Sequence, residues 1–324
     1  MVNDLQTSLL IGNGLNRCLE GGLPWGNLLN QIADQFGVDT CSDIPMPLEF
    51  ERLINIHLKN NPSDSKEIYN RIKTYVADRV LNVSLPSTAI QNELAKLNLS
   101  NIITTNYDLL LEKSYNPAFV PNIHKGVANK PTKYLSDAVG EIRGVNFYHA
   151  HGCATVPSTI CLGYEHYMGM IEKIRTAINT APRELLGKRK IEAILDGTIS
   201  PTNTWMEKFY TSNVGIVGFG LYECEVDFWW LLTHRASLYY TDEKGMHSNI
   251  KNSITYYDVI DDLPTKNEEE KSKQLIRKKE TSKKHLLLSG MHVNVKEYYL
   301  SKTTTGKYQE AYHNIFDDIR KNGV

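Results

Sequence analysis

Four short segments of this 324-residue chain follow an apolar run with paired glycines or clustered polar side chains, the residue types that could do chemistry. The first is Ile11-Gly12-Asn13-Gly14-Leu15-Asn16-Arg17. Glycines at a strand end let the backbone approach a pyrophosphate and expose N–H groups at a helix start. The same pair is also an ordinary tight turn, and Arg17 stands where a GxGxxG fingerprint has its third glycine. No acidic residue closes a second strand about 20 residues on, which disfavours dehydrogenase-type dinucleotide binding. The second segment is Ile103-Thr104-Thr105-Asn106-Tyr107-Asp108. Ligands of open parallel sheets bind at the carboxyl ends of strands, where the neutral Asn106 can orient a ribose hydroxyl or a water and Asp108 can accept hydrogen bonds. Both residues could equally cap a helix starting at Leu109.

The third segment, Tyr148-His149-Ala150-His151-Gly152-Cys153, puts a histidine at a strand end, where it can serve as a general base near neutral pH. Two histidines at alternate positions can ligate a metal, but no third ligand has suitable spacing, so no metal site is expected. The fourth, Val217-Gly218-Phe219-Gly220-Leu221-Tyr222-Glu223, is another glycine-punctuated strand end open to close backbone approach. Asp227 and a Phe228-Trp229-Trp230 run follow, the aromatics reading as a buried helix face. Asp258 could serve the adenosine end of a nucleotide or cap a loop.

These segments need a scaffold. Six apolar runs read as buried parallel strands: 8–11, 101–105, 145–150, 214–217, 254–260 and 291–298. Between them lie stretches with helical spacing, such as Leu28, Leu29, Ile32, Ala33 and Phe36, then Phe50, Leu53, Ile54 and Leu58, then Ile72, Tyr75, Val76 and Val80. Strands alternating with helices predict an α/β fold, a parallel sheet covered on both faces. Residues 155–210 lack strand patterns, and Tyr167 to Ile174 and Leu185 to Leu195 look helical, with Pro182 and Pro201 between and after them. They read as a helical insertion packed on the sheet beside a cleft. Glu268 to Leu288 reads as a long, highly charged helix or helix pair with a solvated face, ending near Gly290.

Composition narrows the function. Lys plus Arg total 36 against 37 Asp plus Glu, which argues against bulk nucleic acid or an anionic membrane as the main partner. The 5 cysteines form no CxxC pair, so neither a disulfide framework nor a four-cysteine zinc module is expected. No run suits a signal peptide or a membrane span, so a cytoplasmic location is expected.

Taken in order, IGNGLNR, LPWGNLL, ITTNYD, HAHG and VGFGL resemble the motifs of the sirtuin superfamily, and more closely those of the sirtuin-like NAD-consuming domains of bacterial anti-phage systems. The chain departs from deacetylating sirtuins in lacking their IPDFR segment and their two CxxC pairs, which disfavours protein deacetylation. The resemblance implies a Rossmann-like parallel sheet without a zinc module, forming one sirtuin-like domain over 1–324 with a helical subdomain at 155–210. It implies that Asn106 positions the nicotinamide ribose and the attacking water and that His151 is the catalytic base. Gly12, Asn13, Gly14 and Asn16 would line the phosphate and ribose site, and Thr105 would join the nucleotide-binding residues. Asp108 would shape the nicotinamide pocket. Gly218, Phe219, Gly220 and Leu221 would contact the adenosine ribose or phosphates. No family role falls on His149, which reads as structural.

The reaction implied is hydrolysis of NAD+ to nicotinamide and ADP-ribose, with NAD+ as substrate and no metal. An ungated enzyme of this kind would kill its host. A regulatory partner, a homo-oligomer or a small nucleotide signal is therefore expected to control it. In the systems it resembles, partners include a HerA-like ATPase, an Argonaute protein or a nucleotide-processing enzyme. The rival expectation is a catalytically silent module that binds NAD+ or ADP-ribose as sensor or scaffold.

Overall fold

The computed structural model describes residues 5–18, 25–41, 43–62, 65–82, 89–123, 133–180, 189–241, 249–264, 267–300 and 307–324. Leu23 and Pro24 of the LPWGNLL motif, Pro182 and the start of the stretch from Leu185 lie outside the described residues. The strands are β1 (Gln6–Ile11), β2 (Asn101–Thr104), β3 (Gly140–Ile142), β4 (Val145–His149), β5 (Ser212–Val217), β6 (Ile254–Ile260) and β7 (Asn294–Tyr299). They form one sheet in the order β3-β4-β2-β1-β5-β6-β7. Every pairing is parallel except that of β3 with β4. The six parallel strands thus follow a doubly wound order that reverses direction between β1 and β5, the place where such sheets open a crevice for ligands.

The six expected runs all form strands, but the last, at the sheet edge, is exposed or half-buried rather than buried. The last begins at Asn294 rather than Met291, because the preceding helix runs through Gly290 and a turn at Met291 and His292 follows. The seventh strand, β3, was not expected. Arg143 and Gly144 join it to β4, both with positive φ (53° and 82°), the geometry of a tight two-residue hairpin.

The helices are α1 (Trp25–Phe36), α2 (Met46–Asn60), α3 (Ser65–Leu81), α4 (Ala89–Leu94), α5 (Leu110–Tyr115), α6 (Tyr164–Asn179), α7 (Lys190–Leu195), α8 (Trp205–Thr211), α9 (Val226–Tyr240), α10 (Glu268–Gly290) and α11 (Lys307–Asn322). Alternation along the strands sends Leu10, Ile103, Tyr148, Ile216 and Tyr256 to one face, packed with residues of α6 to α9. It sends Leu9, Ile102, Phe147, Val217 and Tyr257 to the other, packed with α4, α5 and α11. Both faces of β1, β2, β4, β5 and β6 are therefore buried, and these strands read as short apolar runs, whereas β7 at the sheet edge is exposed or half-buried. The helices of residues 155–210 do pack on the sheet. A third apolar cluster is separate: Leu29, Ile32, Phe50, Leu53, Ile72 and Val76 of α1 to α3 close on Ala154, Ile160 and Leu162.

The charged run from 268 forms one 23-residue helix with Leu288 as its buried residue. Its solvated face carries ion pairs such as Lys271–Glu268 and Lys273–Glu269, which add little stability. Lys284 and His285 on its inner side both reach Asp258, at 3.3 and 2.8 Å. Asp258 thus anchors the inner side of α10. No described helix is long and apolar enough to cross a membrane.

Candidate functional site

Pairing register puts the ends of four strands at one level. Ile11 pairs with Thr104 on one side and Val217 on the other, and Thr104 pairs with His149. The loops that follow carry all four segments read from the sequence, so residues spread over some 200 positions converge on one edge of the sheet.

The β1 and β5 loops close on each other. Gly12 N–H donates to Val217 O at 3.1 Å, and Gly14 N–H donates to Gly218 O at 2.7 Å. A Cβ on Gly14 would lie 2.5 Å from Gly218 O and 2.6 Å from the Tyr312 hydroxyl of α11. That contact requires glycine whatever the loop binds. Beside it, the Asn16 side-chain amide donates to Asn13 Oδ1 at 2.8 Å and to Asp108 Oδ2 at 3.2 Å. Asp108 Oδ1 accepts from Leu110 N–H at 2.9 Å, so this carboxylate tethers the start of α5 to the glycine turn. Its pKa lies above the usual carboxylate range, chiefly through burial.

Asn106 does not cap a helix. Its backbone N–H donates to Thr104 Oγ1 at 3.0 Å, and its side-chain amide reaches Gly12 O at 3.5 Å. Thr104 Oγ1 in turn donates to Ile11 O at 2.8 Å, and Thr105 N–H donates to the same oxygen at 3.3 Å. The Asn106 carbonyl accepts from His149 Nδ1 at 2.8 Å. His149 is fully buried, and its Nε2 lies 2.7 Å from Glu112 Oε1 on α5, itself fully buried. Burial works against a charged ring, but Cys153, Glu112 and the Asn106 carbonyl outweigh it and hold the His149 pKa up, to about 10. His149 is therefore an imidazolium with both N–H groups used, and it fixes the Asn106 backbone.

His151 sits two residues further along. Its Nε2 lies 2.8 Å from Asp227 Oδ2 in the first turn of α9 and 3.9 Å from Glu225 Oε2. Asp227 is fully buried, and its Oδ1 accepts from Phe228 N–H at 3.0 Å. Tyr167 lies edge-on to the imidazole at 5.1 Å, Phe228 tilts against it at 5.5 Å, and the Tyr167 hydroxyl bonds to Glu225. Burial disfavours the charged ring, yet the Asp227 carboxylate and then Glu225 raise its pKa above the usual value. Glu225 is pushed up to about 7, by burial first and by Asp227, with His151 opposing. His151, Glu225 and Asp227 each place one donor atom within 4.8 Å of the others, a set that could also hold a cation.

The expected residues thus fall into two groups. Gly12, Asn13, Gly14, Asn16, Thr105, Asn106, Asp108 and Gly218 form one hydrogen-bonded patch across β1, β2 and β5. His151 belongs to a second group with α6 and α9. Among the described residues no hydrogen bond joins Asn106 to His151; His149, on the Asn106 carbonyl, and Tyr107, on the Cys161 carbonyl, lie between the groups. The side chains of Phe219 and Leu221 are buried in the sheet core, Phe219 edge-on to Phe228 at 5.0 Å, which leaves their backbone at the strand end. Gly220 offers its carbonyl to Lys284 Nζ at 3.4 Å.

Sequence reading missed the roles of Asp227, Glu225 and Glu112. It also passed over α11, although Ala311, Tyr312, Ile315, Phe316 and Ile319 recur at helical spacing and bury against the sheet. Residues 100–196, which carry β2, Asn106, β4 and His151, match the family model of the SIR2-like domain. That match supports a sirtuin-like relationship and a link to NAD+, which such domains use. No curated protein matches the chain.

Proposed function

We propose that this chain is an NAD+ hydrolase that releases nicotinamide and ADP-ribose, and that it acts as a gated effector of anti-phage defence by depleting NAD+. The observation that carries the reading is the placing of Asn106 and His151 after adjacent strands, within the SIR2-like stretch and beside the glycine turn at the β1/β5 switch point. The donor set fits the substrate. Backbone at Gly12, Gly14 and Gly218 suits phosphate and ribose, the Asn106 amide can donate to and accept from a ribose hydroxyl and a water, and His151 can take a proton.

The chemistry asks little more. Nicotinamide is a good leaving group, and its bond to the ribose anomeric carbon breaks through an oxocarbenium-like state. Orientation, separation of the leaving group and one base then supply most of the acceleration. Gating falls to a regulatory partner or self-association, since free activity would exhaust the cell.

The test is nicotinamide release from NAD+ by the purified chain, with and without lysate from phage-infected cells. His151→Ala and Asn106→Ala are expected to lower release by about 10²- to 10⁴-fold. Binding of ADP-ribose without release under any condition would make the chain a silent nucleotide sensor and end the hydrolase reading. Full-rate release by the chain alone would remove the gate.

A further inference from the structure

The buried contact between His151 and Asp227 has a chemical consequence, which rests on the hydrolase reading. A neutral imidazole carries one N–H and one lone pair, and the partner of each nitrogen decides which is which. The Asp227 carboxylate accepts only, and Oδ2 lies 2.8 Å from Nε2, so Nε2 must hold the proton. Among the described residues Nδ1 has no hydrogen-bond partner. Asp227 is itself fixed, fully buried with Oδ1 on the Phe228 N–H. Tyr167 and Phe228 hold the ring from its sides.

We propose that Asp227 is the positioning residue for His151: it keeps the proton on Nε2 and leaves Nδ1 as the atom that accepts a proton during hydrolysis. In that step a water oxygen bonds to the anomeric carbon while one of its protons passes to Nδ1. The bond from that carbon to nicotinamide breaks, and its electron pair neutralises the pyridinium nitrogen. The imidazolium formed is stabilised by Asp227 and later loses its proton to solvent. Glu225, at 3.9 Å, is the second carboxylate facing the ring and adds to this stabilisation.

Asp227→Asn tests the assignment. The new amide is nearly isosteric and its oxygen can still accept from Phe228 N–H. Its nitrogen donates toward Nε2, so the ring proton moves to Nδ1 and the lone pair faces the wrong way. The variant is expected to lose about 10²- to 10⁴-fold in kcat, with KM changed less than about threefold. Nitrogen NMR of the full chain labelled at histidine reads the tautomer directly: Nε2–H in the wild type and Nδ1–H in the variant, at a pH where the ring is neutral. A wild-type ring carrying its proton on Nδ1 overturns the proposal, as does an unchanged tautomer in Asp227→Asn. A zinc-dependent shift of the Nε2 signal would assign the three side chains to a cation and overturn it as well. If the wild type releases no nicotinamide with infected-cell lysate, the hydrolase reading fails, and the ring nitrogens still decide the pairing.

Discussion

Gly152→Ala is expected to destabilise the protein by about 3–6 kcal/mol, from backbone strain and overpacking together. Gly152 has φ +95°, a conformation that side chains rarely adopt. A Cβ there would lie 2.1 Å from Thr159 O and 2.4 Å from Thr159 C, and neither atom can swing aside as a side chain would. The 159–161 segment is held in place, with Cys161 N–H on His151 O at 2.9 Å and Thr159 Oγ1 accepting from Cys153 N–H at 3.0 Å. Urea unfolding should give a lower midpoint with an unchanged m value. Because the displaced backbone is that of His151, activity should fall further than stability alone explains. A midpoint within error of the wild type would mean that this turn is looser than its contacts imply.

Glu112→Ala is expected to cost about 3–5 kcal/mol, since it strands the charged His149 ring in a site with no solvent. Glu112→Gln should cost less, because the amide can still bond to Nε2 of a neutral ring whose Nδ1–H stays on the Asn106 carbonyl. The pair also makes stability depend on pH. His149 is raised in the folded chain to about 10, while its unfolded value is about 6.5. Its contribution is therefore fully present below about pH 6.5 and lost as the pH climbs through about 10. Stability measured in urea from pH 6 to pH 10.5 should fall toward the alkaline end in the wild type. The decline should flatten in Glu112→Gln. An equal decline in both would place the titration elsewhere.

What the sequence made legible is what local pattern encodes. β1, β2, β4, β5 and β6 were visible because strands buried on both faces are short apolar runs, and the polar residues closing them stood out by contrast. α1, α2 and α3 were visible through their spacing, but their shared cluster was not, because its other wall is Ala154, Ile160 and Leu162. The partners of the candidate site are likewise non-local. Asp227 meets His151 across 76 residues and Glu112 meets His149 across 37, and only the sheet order brings them together. His149 looked merely structural because its two contacts are invisible until α5 is folded beside β4. The β3 hairpin rests on three strand residues and one glycine, too little pattern to stand out from a loop.

The central place of β1 sets a timetable for synthesis. Of the seven described strands β1 is made first, and its two neighbours, β2 and β5, are the second and the fifth. Thr104, on one side, follows Ile11 by 93 residues, and the bond from Lys208 to Gln6 at the foot of β5 spans 202. At bacterial and eukaryotic elongation rates the second neighbour arrives about 10–40 s after the first strand. Until then the β5 side of Leu9 and Leu10 is an open strand edge, suited to a chaperone and prone to mispairing. The glycine turn, which bonds to Val217 and Gly218, takes shape only once β5 has emerged.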